Sequence, residues 1–174
     1  MKKVEGYLPI PDPNGSGILG DPESIQGGSR WAERDQQFYK QNVIVFTGNS
    51  YIKNNGRLVM GAGCAKMIRD AYPTVDKGLG NQISHLTDYN LVWLEVKGPT
   101  PFWLGAFQVK YSFQSKAQVS LIERSVKELT RVADLRPNYT FHLNYPGIGN
   151  GKLAYETVQP IVDKLPDNVH LYTI

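Results

Sequence analysis

Val43-Ile44-Val45-Phe46-Thr47-Gly48-Asn49-Ser50 opens the part of the chain that decides the fold, and Met60-Gly61-Ala62-Gly63-Cys64-Ala65 completes it. Val43 to Phe46 is a continuous apolar run, the pattern of a strand buried on both faces. The polar turn Asn49 to Arg57 follows, then Gly61-Ala62-Gly63, then a predicted helix over Cys64 to Tyr72 that Pro73 stops. A strand, a glycine-rich loop and a helix in this order form the repeating unit of a largely parallel α/β sheet.

The alternation continues downstream. Asn90 to Val96 reads as a second strand and Ala106 to Tyr111 as a third, with Gly98-Pro99 and Pro101 as punctuation between them. Val119, Ile122, Val126, Leu129 and Ala133 recur at helical spacing and predict a helix over Lys116 to Ala133, with Ser115 and Gln118 as a capping box. Tyr139 to Leu143 is a strand that ends at Tyr145-Pro146-Gly147. A last helix is expected over Leu153 to Leu165, where Pro160 implies a late start or a kink, and Asn168 to Thr173 closes the sheet. The expected fold class is therefore α/β, with a mixed, mainly parallel central sheet between helices. Right-handed crossovers place the strand-to-helix loops at one sheet edge, where such folds bind ligands.

Upstream, Pro9 to Ser29 is dense in Pro, Gly, Asp and Ser and reads as a long loop or lid. With 174 residues the chain suits one domain with a real core, and no internal repeat is visible. A net charge of +3 favours an anionic ligand without the strong basic stripe of a non-specific DNA binder. The single cysteine, Cys64, rules out an intrachain disulfide, and no Cys/His cluster is spaced to hold a metal. No apolar run is long enough to span a bilayer and the N-terminus lacks a signal-peptide core, so a cytosolic protein is expected; it is further expected to be a monomer and to need no cofactor.

The loop Gly61-Ala62-Gly63-Cys64-Ala65 and the loop Pro146-Gly147-Ile148-Gly149-Asn150-Gly151 each lead into a helix. Glycines let the backbone approach a ligand and turn N–H groups towards it, and the helix start adds unpaired donors. Neither loop is a P-loop, since no Lys-Ser/Thr follows the last glycine, and the first lacks the third glycine of a dinucleotide fingerprint. Together, in this order, they favour a nucleotide-type ligand.

Here the sequence resembles the macro domains. Ile44 to Ser50 is similar to the macro-domain strand that ends in asparagine and a small residue, Met60 to Ala65 to the first phosphate- and ribose-binding loop, and Pro146 to Gly151 with Leu153 and Glu156 to the second. The pattern resembles most the bacterial and phage-type members and the branch that includes the terminal ADP-ribose glycohydrolase of animals. The resemblance implies a three-layer α/β/α fold over residues 35–174, with residues 1–34 as an N-terminal strand and Pro/Gly-rich extension. It implies that Asn49 bonds the distal ribose. Gly61, Ala62, Gly63, Cys64 and Ala65 would line the ribose and diphosphate, while Pro146, Gly147, Ile148, Gly149, Asn150 and Gly151 would wrap the diphosphate from the other side. Asp35 stands where family members place an adenine-binding aspartate. The glycohydrolase branch uses a second-loop aspartate and a lysine that attacks the ribose. Gly151 takes the aspartate's place here and no lysine aligns cleanly, although Lys66, Lys77 and Lys152 are near in sequence.

His85, in a polar stretch, is a candidate for the distal ribose or a terminal phosphate, whereas His142 and His170 lie within strands and read as structural. Cys64 at a helix start suits a reactive thiolate or a small buried residue. Tyr145 and Tyr155 flank the second loop and suit either stacking on a ligand or packing. Trp93, Phe102, Trp103 and Phe107 read as core plus a loop anchor. Three functions follow: a hydrolase of ADP-ribose derivatives, removing the phosphate of ADP-ribose 1″-phosphate or cleaving an ADP-ribosyl link with Asn49 and His85 in catalytic positions; a binding module with the same pocket and no turnover; and an RNA- or poly(ADP-ribose)-binding domain, with ADP-ribosylated protein or nucleic acid as the further partners.

Overall fold

The computed structural model describes residues 1–14, 17–19, 41–84, 86–98 and 101–173. Asp35 and His85 lie outside these residues. The strands are β1 (Lys2–Val4), β2 (Asn42–Gly48), β3 (Leu91–Val96), β4 (Phe102–Gln108), β5 (Thr140–Asn144) and β6 (Val169–Tyr172), and the helices α1 (Gly63–Ala71), α2 (Val75–Ile83), α3 (Val119–Leu135) and α4 (Tyr155–Val162). One six-stranded sheet runs β1-β6-β5-β2-β4-β3. Every neighbouring pair is parallel except β3 with β4, so the sheet is mixed and mainly parallel, as expected.

Alternation along the strands explains the layers. In β2, Ile44 and Phe46 join a core with Leu58, Ile68 and Leu79, on the side of α1 and α2. Val43 and Val45 point the other way, into a core with Ile122, Val126, Leu129 and Val158 from α3 and α4. Both faces of the central strand are dry, which is why its sequence is continuously apolar. Each such side chain contributes about 1.5–3 kcal/mol by leaving water. Among the described residues no helix is long and apolar enough to cross a membrane.

Four details differ from the sequence reading. Strand β4 runs Phe102–Gln108 rather than Ala106 to Tyr111. Its first half is hidden in sequence because Trp103 points outward and Gly105 lies beneath Trp93, whose ring would stand 2.6 Å from a Cβ there. Helix α2 was not expected, since Gly78 and Gly80 depress helix propensity. Gly80 is needed for packing: a Cβ there would lie 2.0 Å from the carbonyl oxygen of Gly56. Helix α3 starts at Val119 with no side-chain cap, and the Ser115 hydroxyl closes a turn with Ser112 instead of capping it. Helix α4 starts late, at Tyr155, and carries Pro160 inside it.

Candidate functional site

The loops that follow β2, β4 and β5 converge at the C-terminal ends of these parallel strands, with Thr173 just beyond β6 beside them. There they enclose a cleft of about 850 Å³. A side chain pins the floor where β2 and β5 part. Past the last β2–β5 register pair, Val45 with Leu143, the strands separate. Asn144 bridges the gap: its Oδ1 accepts from the Thr47 N–H at 2.9 Å and its Nδ2 donates to the Thr47 hydroxyl at 2.8 Å. The sheet order reverses about β2, with β4 and β3 on one side and β5 and β6 on the other. Such reversals open crevices in α/β sheets.

The first glycine loop is held from below. Arg57 donates to the buried carboxylate of Asp76 at 2.6 Å and to the Pro73 carbonyl at 3.2 Å. The Leu58 N–H donates to the Asp76 carbonyl at 2.9 Å. Met60, Gly61, Ala62, Gly63, Cys64 and Ala65 then line the cleft, with Gly61 open on its Cβ side and Gly63 at φ +58°. Burial pushes the Cys64 thiol above its ordinary pKa, which argues for packing and against a reactive thiolate.

In the second loop Gly147, Ile148, Gly149, Asn150 and Gly151 face the cleft. Gly147 has φ +79° and its missing Cβ is replaced by Ile122, while Gly149 has φ +64° with empty space beside it. The first serves packing and the second leaves room for a ligand. A Cβ on Gly63 would stand 3.6 Å from Asn150 Nδ2, so the two loops approach each other across the cleft. Pro146 is buried and does not line the cleft. Tyr155 is likewise off the cleft surface: it stacks on Tyr145, ring centroids 4.8 Å apart, and its hydroxyl accepts from Lys3 at 3.0 Å. Tyr145 is the member of that pair that reaches the cleft wall.

Asn49 lies on the cleft wall and is tightly held. Its Nδ2 donates to the Val59 carbonyl at 3.1 Å, its Oδ1 accepts from the Tyr51 N–H at 2.9 Å, and its carbonyl accepts from the Tyr89 hydroxyl at 2.8 Å. One amide hydrogen and one lone pair stay free for a ligand hydroxyl. Tyr89 in turn is fixed by the buried Gln108, whose Oε1 accepts the N–H groups of Tyr89 and Asn90 at 2.9 and 3.1 Å.

Sequence reasoning missed Lys110, together with Phe113 and Gln114 of the loop after β4. Lys110 is buried, and its ammonium donates to the carbonyls of Phe113 at 3.2 Å and Asn150 at 3.5 Å. Burial, and then the neighbouring charge of Lys152, lower its pKa. Its signal was weak: a lone charge after a largely apolar stretch, Leu104 to Val109, that Gln108 already interrupts. Lys152 also lines the cleft, whereas Lys66 pairs with Asp70 on the outer face of α1. Among the described lining residues there is no carboxylate and no histidine, and no group of three or more metal-ligating side chains occurs among the described residues.

Comparison with family models and with curated proteins gives no match. Solved structures do match. The macrodomain of Thermus aquaticus DarG superposes with a TM-score of 0.62 at 18% identity, covering 98% of this chain and 95% of that one. This is a macrodomain fold. The macrodomain of Mycobacterium tuberculosis DarG gives 0.61 at 21% identity over 77% of this chain and 90% of its own. Thermosipho africanus DarTG in complex with ADP-ribose gives 0.61 at 15% identity over 79% of this chain, which spans only 39% of that longer chain. In this fold the two glycine loops occupy the C-terminal edge of the sheet, where the right-handed crossovers place them.

Proposed function

We propose that the cleft binds ADP-ribose or a close derivative, extended along the edge of the sheet. The observation that carries this reading is the convergence of both glycine loops on one cleft of about 850 Å³, roomy enough for an extended dinucleotide-sized ligand. The backbone of residues 61–64 and 147–150 supplies N–H groups to the diphosphate, with the Gly151 N–H closing the loop on the Ile148 carbonyl, and Lys110 and Lys152 supply positive charge. Asn49 offers its spare donor and acceptor to the distal ribose. The macrodomain fold, and the presence of ADP-ribose in the Thermosipho africanus DarTG complex, support the choice of ligand. Calorimetric titration with ADP-ribose tests it: saturable heat is expected, and its absence from a folded sample overturns the reading.

For the chemistry we propose hydrolysis of an ADP-ribosyl link through Lys110. Among the described lining residues, Lys110 is the amine whose burial favours the neutral, nucleophilic form. Its neutral form attacks the anomeric carbon of the distal ribose, the bond to the leaving oxygen breaks, and that oxygen takes the proton that the newly alkylated amine gives up. Water then releases the ribose from the amine. The fit with Lys110 favours this route over removal of a terminal phosphate, for which the described lining holds no carboxylate or histidine to activate a water. Single-turnover assays with ADP-ribosylated carriers decide it, and Lys110→Met should leave substrate uncleaved. That the described lining residues include no carboxylate or histidine favours a second reading, a binding module that holds free or carrier-linked ADP-ribose without turnover; unchanged substrate with the wild-type protein would establish it.

A further inference from the structure

Tyr51 and Phe113 are large apolar side chains left in water, 48% and 45% exposed. Their rings meet edge to face, with centroids 5.4 Å apart and planes at 86°. Tyr51 belongs to the loop after β2 and Phe113 to the loop after β4, and Phe113 lines the cleft. The backbones under these rings do a further job. The Tyr51 N–H is the donor to Asn49 Oδ1 at 2.9 Å, and the Tyr51 carbonyl accepts from the Val59 N–H at 3.0 Å. Val59 is also the residue whose carbonyl holds Asn49 Nδ2 at 3.1 Å. On the opposite loop, the Phe113 carbonyl is the shorter of the two acceptors of Lys110 Nζ, at 3.2 Å against 3.5 Å for Asn150. One stitch lies beside the ring pair: the Ser50 N–H and hydroxyl both donate to the Tyr111 carbonyl, at 3.2 and 3.3 Å.

We propose that Tyr51 and Phe113 form a clasp that positions Asn49 and Lys110 relative to each other, by joining two loops whose backbone groups hold those side chains. A ring pair that served only to bury surface would be better placed inward, where both faces leave water. An edge-to-face contact at the surface fixes a geometry instead, because the ring quadrupoles prefer that arrangement. Both residues act through others and are positioning residues. The consequence for ligand binding rests on the cleft being an ADP-ribose site; the clasp itself does not.

The test uses the full chain with lysines labelled with 13C at Cε, the Lys110 resonance being assigned with Lys110→Arg, and ADP-ribose titrations run in parallel. Tyr51→Ala and Phe113→Ala are each expected to move the Lys110 resonance towards those of exposed lysines and to weaken ADP-ribose binding up to about tenfold. The double variant should be no worse than either single one, since both remove the same contact. Tyr51→Phe and Phe113→Tyr, which keep the rings, should retain the wild-type resonance and affinity. Phe113→Leu, which keeps apolar volume without the ring edge, should behave as Phe113→Ala and replaces it if that variant folds poorly. A Lys110 resonance unmoved by loss of either ring, or losses that add in the double variant, would overturn the clasp. If the wild-type protein binds no ADP-ribose, the functional reading falls while the resonance still decides the clasp.

Discussion

Lys110 carries the most specific chemical expectation. Burial is the larger cause of its lowered pKa and Lys152 the second. A nucleophilic amine must be neutral, so turnover should rise with pH through that lowered value. Lys152→Ala removes a like charge, raises the Lys110 pKa and should shift the pH–rate profile to higher pH. A profile that stays in place would separate Lys152 from the chemistry. Gly149→Glu gives a binding-only counterpart. The residue has φ +64° and open space at its Cβ, so the carboxylate projects towards the diphosphate path at a conformational cost of about 1 kcal/mol. Titration should show binding abolished while the melting temperature falls by only a few degrees, about the shift expected for 1 kcal/mol. At this scale the glycines and Asn49 were legible in sequence because each has an unusual residue type at a motif position. Lys110 was not, since a lysine at a strand end looks the same whether it faces solvent or a cleft. Its meaning depends on Asn150 and Phe113, which only the fold brings to it.

Among the elements, α2 shows best why local signals fail. Its sequence, VDKGLGNQI, has two glycines and reads as a breaker. The helix forms because Val75, Leu79 and Ile83 bury on the sheet, and Gly80 lets the backbone of the first loop lie directly against it. Gly80→Ala should therefore destabilise the protein by about 1–3 kcal/mol, despite raising helix propensity, because the nearest obstacle is backbone rather than a mobile side chain. Denaturant unfolding measures this; a stabilised variant would show that α2 and the loop at Gly56 are not in contact. The same variant should weaken ligand binding, since residues 56–58 carry the chain into the first glycine loop. The β2, β5 and α3 patterns were legible for the opposite reason: their apolar period agrees with the burial they attain.

Across the whole molecule, the three-layer arrangement was readable because strand and helix alternate, whereas the burial of His142 on one sheet face was visible only as its place within a strand. Its Nδ1 meets the Tyr172 hydroxyl at 2.6 Å and its Nε2 the side-chain carbonyl of Asn42, a pairing that a neutral ring satisfies with one acceptor and one donor. Burial, and then the His170 charge, push its pKa down to about 3 from an ordinary 6.5. The folded value lies below the unfolded one, so the neutral ring's contribution is complete above pH 6.5 and is lost as pH falls towards 3. Between pH 6.5 and about 5, where most carboxylates stay ionised, stability should decline with a slope approaching about 1.4 kcal/mol per pH unit. Urea unfolding at pH 7 and pH 5 tests this, and equal free energies would contradict the buried neutral ring. The central claim is that the sheet edge carries one nucleotide cleft built from two glycine loops. Calorimetric titration of the intact chain with ADP-ribose, alongside Gly149→Glu, tests it most directly: saturable binding at a single site that the variant abolishes is predicted, and a folded wild-type protein that gives no heat, or a variant that binds as well as wild type, would contradict it.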